Sequence, residues 1–178
     1  KEQQAKDLKV LSNTARDLKL QIDIDAEEII REYITQKSSL PILGEESGMS
    51  GEFEEFYWVV DPLDGTSNYL RNIPISCVSI SLMHDLAPVL GVIFDFNNSD
   101  IYFAHKESKA YVNDMELSVS SLNLKKESTL VTGIPAKDNY SDEEFKSMIF
   151  DFQSWKKIRM IGSAAMASAY VASGKAEA

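Results

Sequence analysis

The sequence predicts a layered α/β sandwich, and three features of the chain support this fold class. Short apolar segments alternate with turn-forming residues over residues 75–119, as in strands joined by hairpins. An apolar run without alternation, residues 56–60, is typical of a strand buried on both faces. Apolar residues at helical spacing lie on both sides of the strand region. Helices beside such strands bury their apolar faces on the sheet, which produces layers.

Composition and charge exclude several classes of protein. The 178 residues are enough for one domain with room for a second small lobe, and the hydrophobic fraction of 44% is ordinary. A net charge of −10 argues against nucleic acid or an anionic membrane as a partner. No apolar run approaches the roughly 20 residues that a membrane span needs. The single cysteine, Cys77, predicts a buried thiol in a reducing compartment, and we therefore expect a cytoplasmic protein.

The first elements are predicted from apolar spacing. Residues 1–16 would form the end of a helix, and a short extended segment would run from Asp17 to Asp25. A second helix is predicted over residues 26–37, capped by Asp25 or by Asp23. Four apolar side chains of this helix are expected to face the core: Ile29, Ile30, Tyr33 and Ile34.

Two short strands that each end in an acid come next. Residues 41–44 form the first and deliver Glu45, and the buried run over residues 56–60 stops at Asp61. Pro62 cannot donate a ladder hydrogen bond, so strand pairing should end there.

Further strands and helices follow a short helix that Thr66 or Ser67 could cap. The predicted elements are strands over residues 75–83, 88–96, 101–105, 130–132 and 156–160, a hairpin that joins 111–112 to 117–119, and helices over 141–152 and 164–172. Residues 1–125 would form an N-terminal lobe that carries the metal site. Residues 126–178 would begin a second, incomplete α/β lobe.

The acids at the strand ends could share one rim of the sheet. Glu45, Asp61 and Asp64 cannot lie close together in the ionised state without a counter-charge. Oxygen ligands select hard cations such as Mg²⁺, Mn²⁺ or Ca²⁺ rather than zinc, and the backbone carbonyl of Leu63 is a further oxygen. The alternative is that Asp-Pro and Asp-Gly are ordinary turn pairs and that Glu45 lies in a solvated loop.

The segment Gly65-Thr66-Ser67 follows these carboxylates directly. If it begins a helix, its N–H groups would attract an anion such as phosphate, and the glycine would let a ligand approach the backbone. A metal ion beside an anion site favours hydrolysis of a phosphate ester, with Glu45 or Thr66 orienting a water molecule.

Structural interpretations are favoured at two other places. Asp23 is more readily explained as a helix cap than as a metal ligand. Gly162-Ser163 is more readily explained as the start of a serine-capped helix that packs closely through small residues.

The motifs resemble those of the inositol monophosphatases, which are Mg²⁺-dependent, lithium-sensitive sugar phosphatases. The resemblance depends most on two blocks, Gly44-Glu45-Glu46-Ser47 and the run from Trp58 to Tyr69 that contains Asp61-Pro62-Leu63-Asp64-Gly65-Thr66. Residues 17–30 and 159–165 resemble two further family segments. The resemblance implies an αβαβα sandwich, usually a homodimer, with two or three Mg²⁺ ions at sites that Mn²⁺ or Ca²⁺ can also occupy.

The resemblance also implies roles for individual residues. The residues that match the family's metal ligands are Glu45, Asp61, Leu63 through its carbonyl, Asp64, and Asp23 near an outer metal position. The residues that match those activating the attacking water are Glu45 and Thr66. The residues that match the phosphate-binding turn are Asp64, Gly65 and Thr66. The residues that match those near the substrate's ring hydroxyls are Gly162, Ser163 and Ala164.

Two departures from the family pattern stand out. Leu20 occupies a position where the family usually has threonine, close to the outer metal position. The family's further metal-binding aspartate, in a Trp-Asp pair, would lie beyond Ala178. We therefore expect the natural protein to continue and the second metal site to be incomplete within these 178 residues.

The implied activity is hydrolysis of a phosphate monoester, with inositol monophosphate as the favoured substrate. The compact segment over residues 47–58, which has no long insertion, favours this type. Alternatives of the same class are a 3'(2'),5'-bisphosphate nucleotidase, a fructose-1,6-bisphosphatase and a histidinol phosphatase. The alternative of another class is a regulatory, protein-binding relative with weak or no catalysis.

Overall fold

The structure, a computed structural model, describes residues 10–13, 18–134 and 139–178. Its strands are β1 (Val10–Asn13), β2 (Leu18–Leu20), β3 (Ile42–Gly44), β4 (Gly48–Met49), β5 (Phe56–Asp64), β6 (Cys77–His84), β7 (Ala87–Asp95), β8 (Asp100–His105), β9 (Tyr111–Val112), β10 (Met115–Glu116), β11 (Thr129–Thr132) and β12 (Lys157–Met160). Its α-helices are α1 (Gln21–Thr35), α2 (Thr66–Leu70), α3 (Asp142–Gln153) and α4 (Ala164–Ala172).

An eight-stranded sheet forms the centre of the fold, in the order β10-β9-β8-β7-β6-β5-β3-β4. Its neighbouring strands run antiparallel, except that β3 and β5 are parallel and pair Gly44 with Val60. Parallel strands end at the same edge, so the residues that follow Gly44 and Val60 in the chain become neighbours. The Glu45 amide fixes this register by donating to the Val60 carbonyl at 3.1 Å.

Helices and two small two-stranded sheets, β1–β2 and β11–β12, complete the sandwich. Helix α1 packs against β5, and the buried core between them and β3 contains Ile34, Ile42 and Val60. Strands β11 and β12 form a separate parallel pair connected through α3, and α4 packs against β6, β7 and β11. Of the helices in the described part of the chain, none combines the length and apolar character needed to cross a membrane.

Most of the hairpins and late elements agree with the sequence prediction. The capping box of α3 is present, because Ser141 Oγ accepts from the Glu144 amide and the Glu144 carboxylate accepts from the Ser141 amide. Ser163 caps α4 as expected. The hairpin around residues 113–114 is also present, although its second strand is β10 and not residues 117–119.

The predicted boundaries of the first helices were wrong. Residues 10–13, assigned to a helix, form β1 and pair with β2, while residues 1–9 and 14–16 lie outside the described part of the chain. Helix α1 begins at Gln21, so Asp25 lies inside the helix and Asp23 lies in its first turn, and neither is its cap.

The earlier start of α1 also changes which of its residues are buried. Ile29 and Tyr33 were predicted to face the core but are 68% and 66% exposed. The buried face instead contains Asp23, Glu27 and Ile34, at the spacing i, i+4, i+11 that places residues on one side of a helix. Two acids therefore enter the interior where apolar spacing alone predicted isoleucine and tyrosine.

Strand β5 continues past Pro62, where pairing was predicted to stop. Asp61 pairs with Ser79, and Asp64 pairs with Cys77, so three steps on β5 match two on β6. This bulge accommodates a proline without requiring its missing N–H, and it bends the strand beside the acids. The following helix, α2, is capped by Gly65 in the left-handed region (φ 90°) and not by Thr66 or Ser67.

A single amide side chain connects the turn after β5 to the chain near α4. Asn68 Nδ2 donates to the Ile75 carbonyl at 2.8 Å and to the Ile161 carbonyl at 2.7 Å. Gly162, with φ 71°, lies so close that a Cβ there would be 3.1 Å from Nδ2. The two regions that carry the family motifs are thus held in contact by hydrogen bonds.

We predict that Asn68→Asp lowers the free energy of unfolding by about 2–4 kcal/mol, because the variant would point a carboxylate at two carbonyl oxygens. Urea unfolding followed by circular dichroism measures the change. The matched control is Asn123→Asp, which makes the same substitution at an exposed position. Equal stability of the two variants would contradict the assigned role of Asn68.

Candidate metal centre

Glu45 and Asp61 lie at the ends of adjacent parallel strands. Glu45 is exposed at the end of β3, whereas Asp61 is half-buried on β5, and their carboxyl groups are hydrogen-bonded to each other. Burial, followed by the charges of Glu45 and Asp64, raises the pKa of Asp61 to about 8. The Leu63 amide donates to Asp61 Oδ1 at 3.1 Å, which offsets only part of this increase. The strand register therefore forces like charges together.

The bulge after Asp61 brings the backbone of Leu63 into contact with Thr66. The carbonyl of Leu63 accepts a hydrogen bond from Thr66 Oγ1 at 3.1 Å. A carbonyl oxygen has two lone pairs, so this bond leaves the second one able to face a cation. The structure thus brings together two residues that the motif assigned to metal binding and water activation.

The motif assigned Asp64 to metal binding, but its carboxylate is hydrogen-bonded to residues at the start of α4. Its Oδ2 accepts from Ser163 Oγ at 2.6 Å and from the Ala165 amide at 2.7 Å, and its Oδ1 accepts from the Ala164 amide at 3.3 Å. These donors surround the N-terminus of α4, where a negative charge is stabilised by the helix dipole. The Asp64 carboxylate is therefore held by α4.

The arrangement fits part of a shell for a hard cation. Within residues 10–13, 18–134 and 139–178, no group of three His, Cys, Asp or Glu side chains is placed to hold an ion without rearrangement. The Asp64 carboxylate is hydrogen-bonded to Ser163 Oγ. Glu45, Asp61 and the Leu63 carbonyl nevertheless offer oxygen donors of the type that Mg²⁺, Mn²⁺ and Ca²⁺ prefer, and a cation would relieve the repulsion between the two acids.

The other residues predicted from the motifs lie on α1, at the turn before α2 and at the start of α4. Asp23 is buried in the first turn of α1, with 2% of its surface exposed. Gly162 and Ala164 are exposed at the start of α4, whereas Ser163 between them is buried. Gly65 lies against backbone, since a Cβ there would be 2.8 Å from the Ile75 carbonyl.

Cys77 is the buried thiol that the sequence predicted. It is free, it has no exposed surface, and its Sγ lies 3.9 Å from both Asp64 Oδ2 and Ser163 Oγ. Burial, followed by the charge of Asp64, raises the pKa of this thiol to about 12. The thiol therefore stays protonated and packs beneath the acids as a small apolar group.

Sequence reasoning missed one residue next to the centre, Glu27. Its carboxylate is buried and contacts the turn that carries Glu45. The signal that could have found it is the spacing of Asp23, Glu27 and Ile34, but a glutamate in such a pattern is ordinarily assigned to solvent.

In a chelating buffer, we predict that the protein loses stability as the pH rises from about 4 to about 8. The pKa of Asp61 is about 8 in the folded protein against an ordinary 3.8, so the folded state binds more protons than the unfolded state throughout this window. Asp61→Asn removes the titrating group and should reduce the slope. Thermal unfolding in EDTA at several pH values measures it, and Asp85→Asn, on an exposed turn, is the control. A slope that survives Asp61→Asn unchanged would contradict this.

Comparison with known proteins agrees with the fold and the motifs. The model of the inositol monophosphatase family matches residues 1–178. Nus factor SuhB from Xylella fastidiosa is 35% identical over 173 residues, which make up 96% of this chain and 62% of that protein. Inositol-1-monophosphatase from Synechocystis sp. is 34% identical over 165 residues, which make up 90% of this chain and 57% of that protein.

Structural similarity leads to the same group of proteins. Extragenic suppressor protein suhB from Bartonella henselae superposes with a TM-score of 0.84 at 32% identity, over 97% of this chain and 67% of that one. The predicted α/β sandwich fold is thereby confirmed. The chain spans about six tenths of the length of the curated relatives named above. As the two motif blocks predicted, the chain belongs to the inositol monophosphatase family.

Proposed function

We propose that the protein hydrolyses a phosphate monoester in a metal-dependent reaction, with inositol monophosphate as the favoured substrate. The observation that carries this proposal is the parallel pairing of β3 with β5, which sets the Glu45 and Asp61 carboxyls in contact. Two acids in contact beside an exposed turn are an arrangement that a divalent cation stabilises.

The residues of the centre would bind two Mg²⁺ ions. Glu45, Asp61 and the Leu63 carbonyl would hold one ion, while Asp61 and Asp64 would hold a second. Asp64 can take part through Oδ1, since its bond with the Ala164 amide is long at 3.3 Å. When bound, Mg²⁺ would supply positive charge against the phosphate and lower the pKa of a water molecule bound to it. A third ion near Asp23 and inhibition by lithium belong to this proposal.

The chain's own groups would position the reactants. Glu45 is exposed and can accept a proton from the attacking water, and Thr66 Oγ1 lies at hydrogen-bonding distance of the Leu63 carbonyl, where it can orient that water. The phosphate would lie over the amides of Gly65 and Thr66, where the left-handed Gly65 (φ 90°) leaves the backbone without a side chain.

The ring hydroxyls of the substrate would meet the start of α4. Gly162 and Ala164 are exposed there, and Ser163 is buried against Asp64 at 2.6 Å. Ser163 would therefore act by holding Asp64, while its two neighbours would face the substrate. A homodimer and a cytoplasmic location are implied by the family resemblance and belong to the same proposal.

A second candidate, of another class, is a regulatory protein-binding role. The observation that favours it is the similarity to a protein from Xylella fastidiosa that is named as a Nus factor, SuhB. The similar Synechocystis protein is named as an inositol-1-monophosphatase. A bisphosphate nucleotidase, a fructose-1,6-bisphosphatase and a histidinol phosphatase are the alternatives within the phosphatase class. Phosphate release from a panel of their substrates and inositol 1-phosphate, with and without Mg²⁺, separates these candidates.

We predict that Asp61→Asn reduces Mg²⁺-dependent phosphate release from inositol 1-phosphate by at least about 100-fold, because it removes a carboxylate shared by both proposed ions. Initial rates at saturating Mg²⁺ measure this. The matched control is Asp85→Asn, which makes the same change in the exposed turn between β6 and β7 and should keep the wild-type rate. Full activity of Asp61→Asn would overturn the metal assignment. An inactive wild-type protein that binds a protein partner would favour the regulatory role.

A further inference from the structure

The carboxylate of Glu27 is buried beneath the turn that follows β3. Only 1% of this residue is exposed, although glutamate is almost never buried without partners. Its Oε2 accepts from the Glu46 amide at 2.8 Å, and its Oε1 accepts from the Ser47 amide at 3.2 Å and from the Ser47 hydroxyl. The two backbone groups immediately after Glu45 are therefore bound by one buried side chain.

Arg31, one turn further along α1, extends this contact to both strands of the β3–β4 hairpin. Its Nε donates to Glu27 Oε1 at 2.9 Å, its Nη1 donates to the Ile42 carbonyl at 3.2 Å, and its Nη2 donates to the Gly48 carbonyl. The carboxylate and the guanidinium together hold the hairpin on α1 at the start of β3, at the turn and at the start of β4.

Steric fit confirms that this packing is close. A Cβ built on Gly44 would lie 2.3 Å from the carboxyl carbon of Glu27, so a larger residue at position 44 would displace the carboxylate. Gly44 has no positive φ angle, and glycine is needed there for space. The glycine of the Gly-Glu-Glu block thus makes room for a side chain that arrives from α1.

Electrostatics favour the ionised form of Glu27. Burial raises its pKa, but the hydrogen bonds from Ser47 and Glu46 and the charge of Arg31 outweigh burial, so that the net pKa is lowered. Glu27 is consequently an anion that only accepts hydrogen bonds. In each of its hydrogen bonds with the turn, the turn is the donor and the carboxylate is the acceptor.

We propose that Glu27 is a positioning residue for the candidate metal centre. By binding the amides of Glu46 and Ser47, it fixes the turn so that the Glu45 carboxylate meets Asp61. This inference rests on the proposed function, because the role of Glu45 as a metal ligand belongs to that proposal. Loss of a residue that orients a metal ligand, without itself binding the metal, typically weakens metal affinity by about 10–100-fold.

The test compares the Mn²⁺ affinity of the wild-type chain with that of Glu27→Gln, by isothermal titration calorimetry at a temperature where circular dichroism shows both proteins folded. Glu27→Gln keeps the size of the side chain but loses the charge, and we expect its Kd for Mn²⁺ to rise at least about 10-fold. The matched control is Glu28→Gln, the next residue on α1, which is exposed and should leave the Kd unchanged. A purely structural role for Glu27 would lower the melting temperature and leave the affinity of the folded protein unaltered.

A milder variant keeps the test decisive if Glu27→Gln does not fold. Ser47→Ala removes one hydroxyl from an exposed residue and leaves the carboxylate in place. We expect it to weaken Mn²⁺ binding in the same direction by about threefold, as the loss of one ordinary hydrogen bond predicts.

The outcomes separate this inference from the proposed function. If the wild-type chain binds no Mn²⁺, the metal assignment itself fails. If the wild-type chain and folded Glu27→Gln bind Mn²⁺ equally well, the metal centre stands and the positioning role of Glu27 is overturned. If Glu27→Gln does not fold, equal binding by Ser47→Ala overturns it.

Discussion

The parallel register of β3 and β5 is the constraint on which the rest of the site depends. It pairs Gly44 with Val60, and so the next residue on each strand, Glu45 and Asp61, must lie side by side. Two carboxyls in hydrogen-bond contact repel each other once both ionise, which is a cost to the folded protein without a cation. Backbone pairing of β3 with β5 and the buried core of Ile34, Ile42 and Val60 stabilise the fold and offset this cost. Such a conflict between local electrostatics and global packing is expected at functional sites.

Two sets of hydrogen bonds, one from α1 and one from α4, restrain residues of the centre. Helix α1 reaches the turn after β3 through Glu27 and Arg31. The N-terminus of α4 holds the Asp64 carboxylate through Ser163 and two amides. These hydrogen bonds restrain the turn after β3 and the Asp64 side chain, but in the described residues no group of three Asp, Glu, His or Cys side chains is placed to hold an ion.

Much of the fold could be predicted from the sequence, because apolar runs, turn residues and caps are local signals. The strand before Asp61 and the capping box at Ser141 are examples. The bulge at Pro62 could not be predicted, since whether pairing resumes depends on the partner strand. Glu27 was missed for a related reason: its partners in the turn after β3 are 19 and 20 residues away in the chain, and its local pairing with Arg31 on α1 does not reveal them. The contact between Asp64 and Ser163 spans 99 residues and was likewise invisible.

Anomalous diffraction from a crystal of the chain grown with Mn²⁺ tests the central claim most directly, because it locates the ion without relying on turnover. The account predicts a peak about 2.0–2.3 Å from carboxylate oxygens of both Glu45 and Asp61, with the Leu63 carbonyl as a further neighbour. A map with no peak between these two acids at saturating Mn²⁺, or with the ion bound elsewhere on the chain, would contradict it.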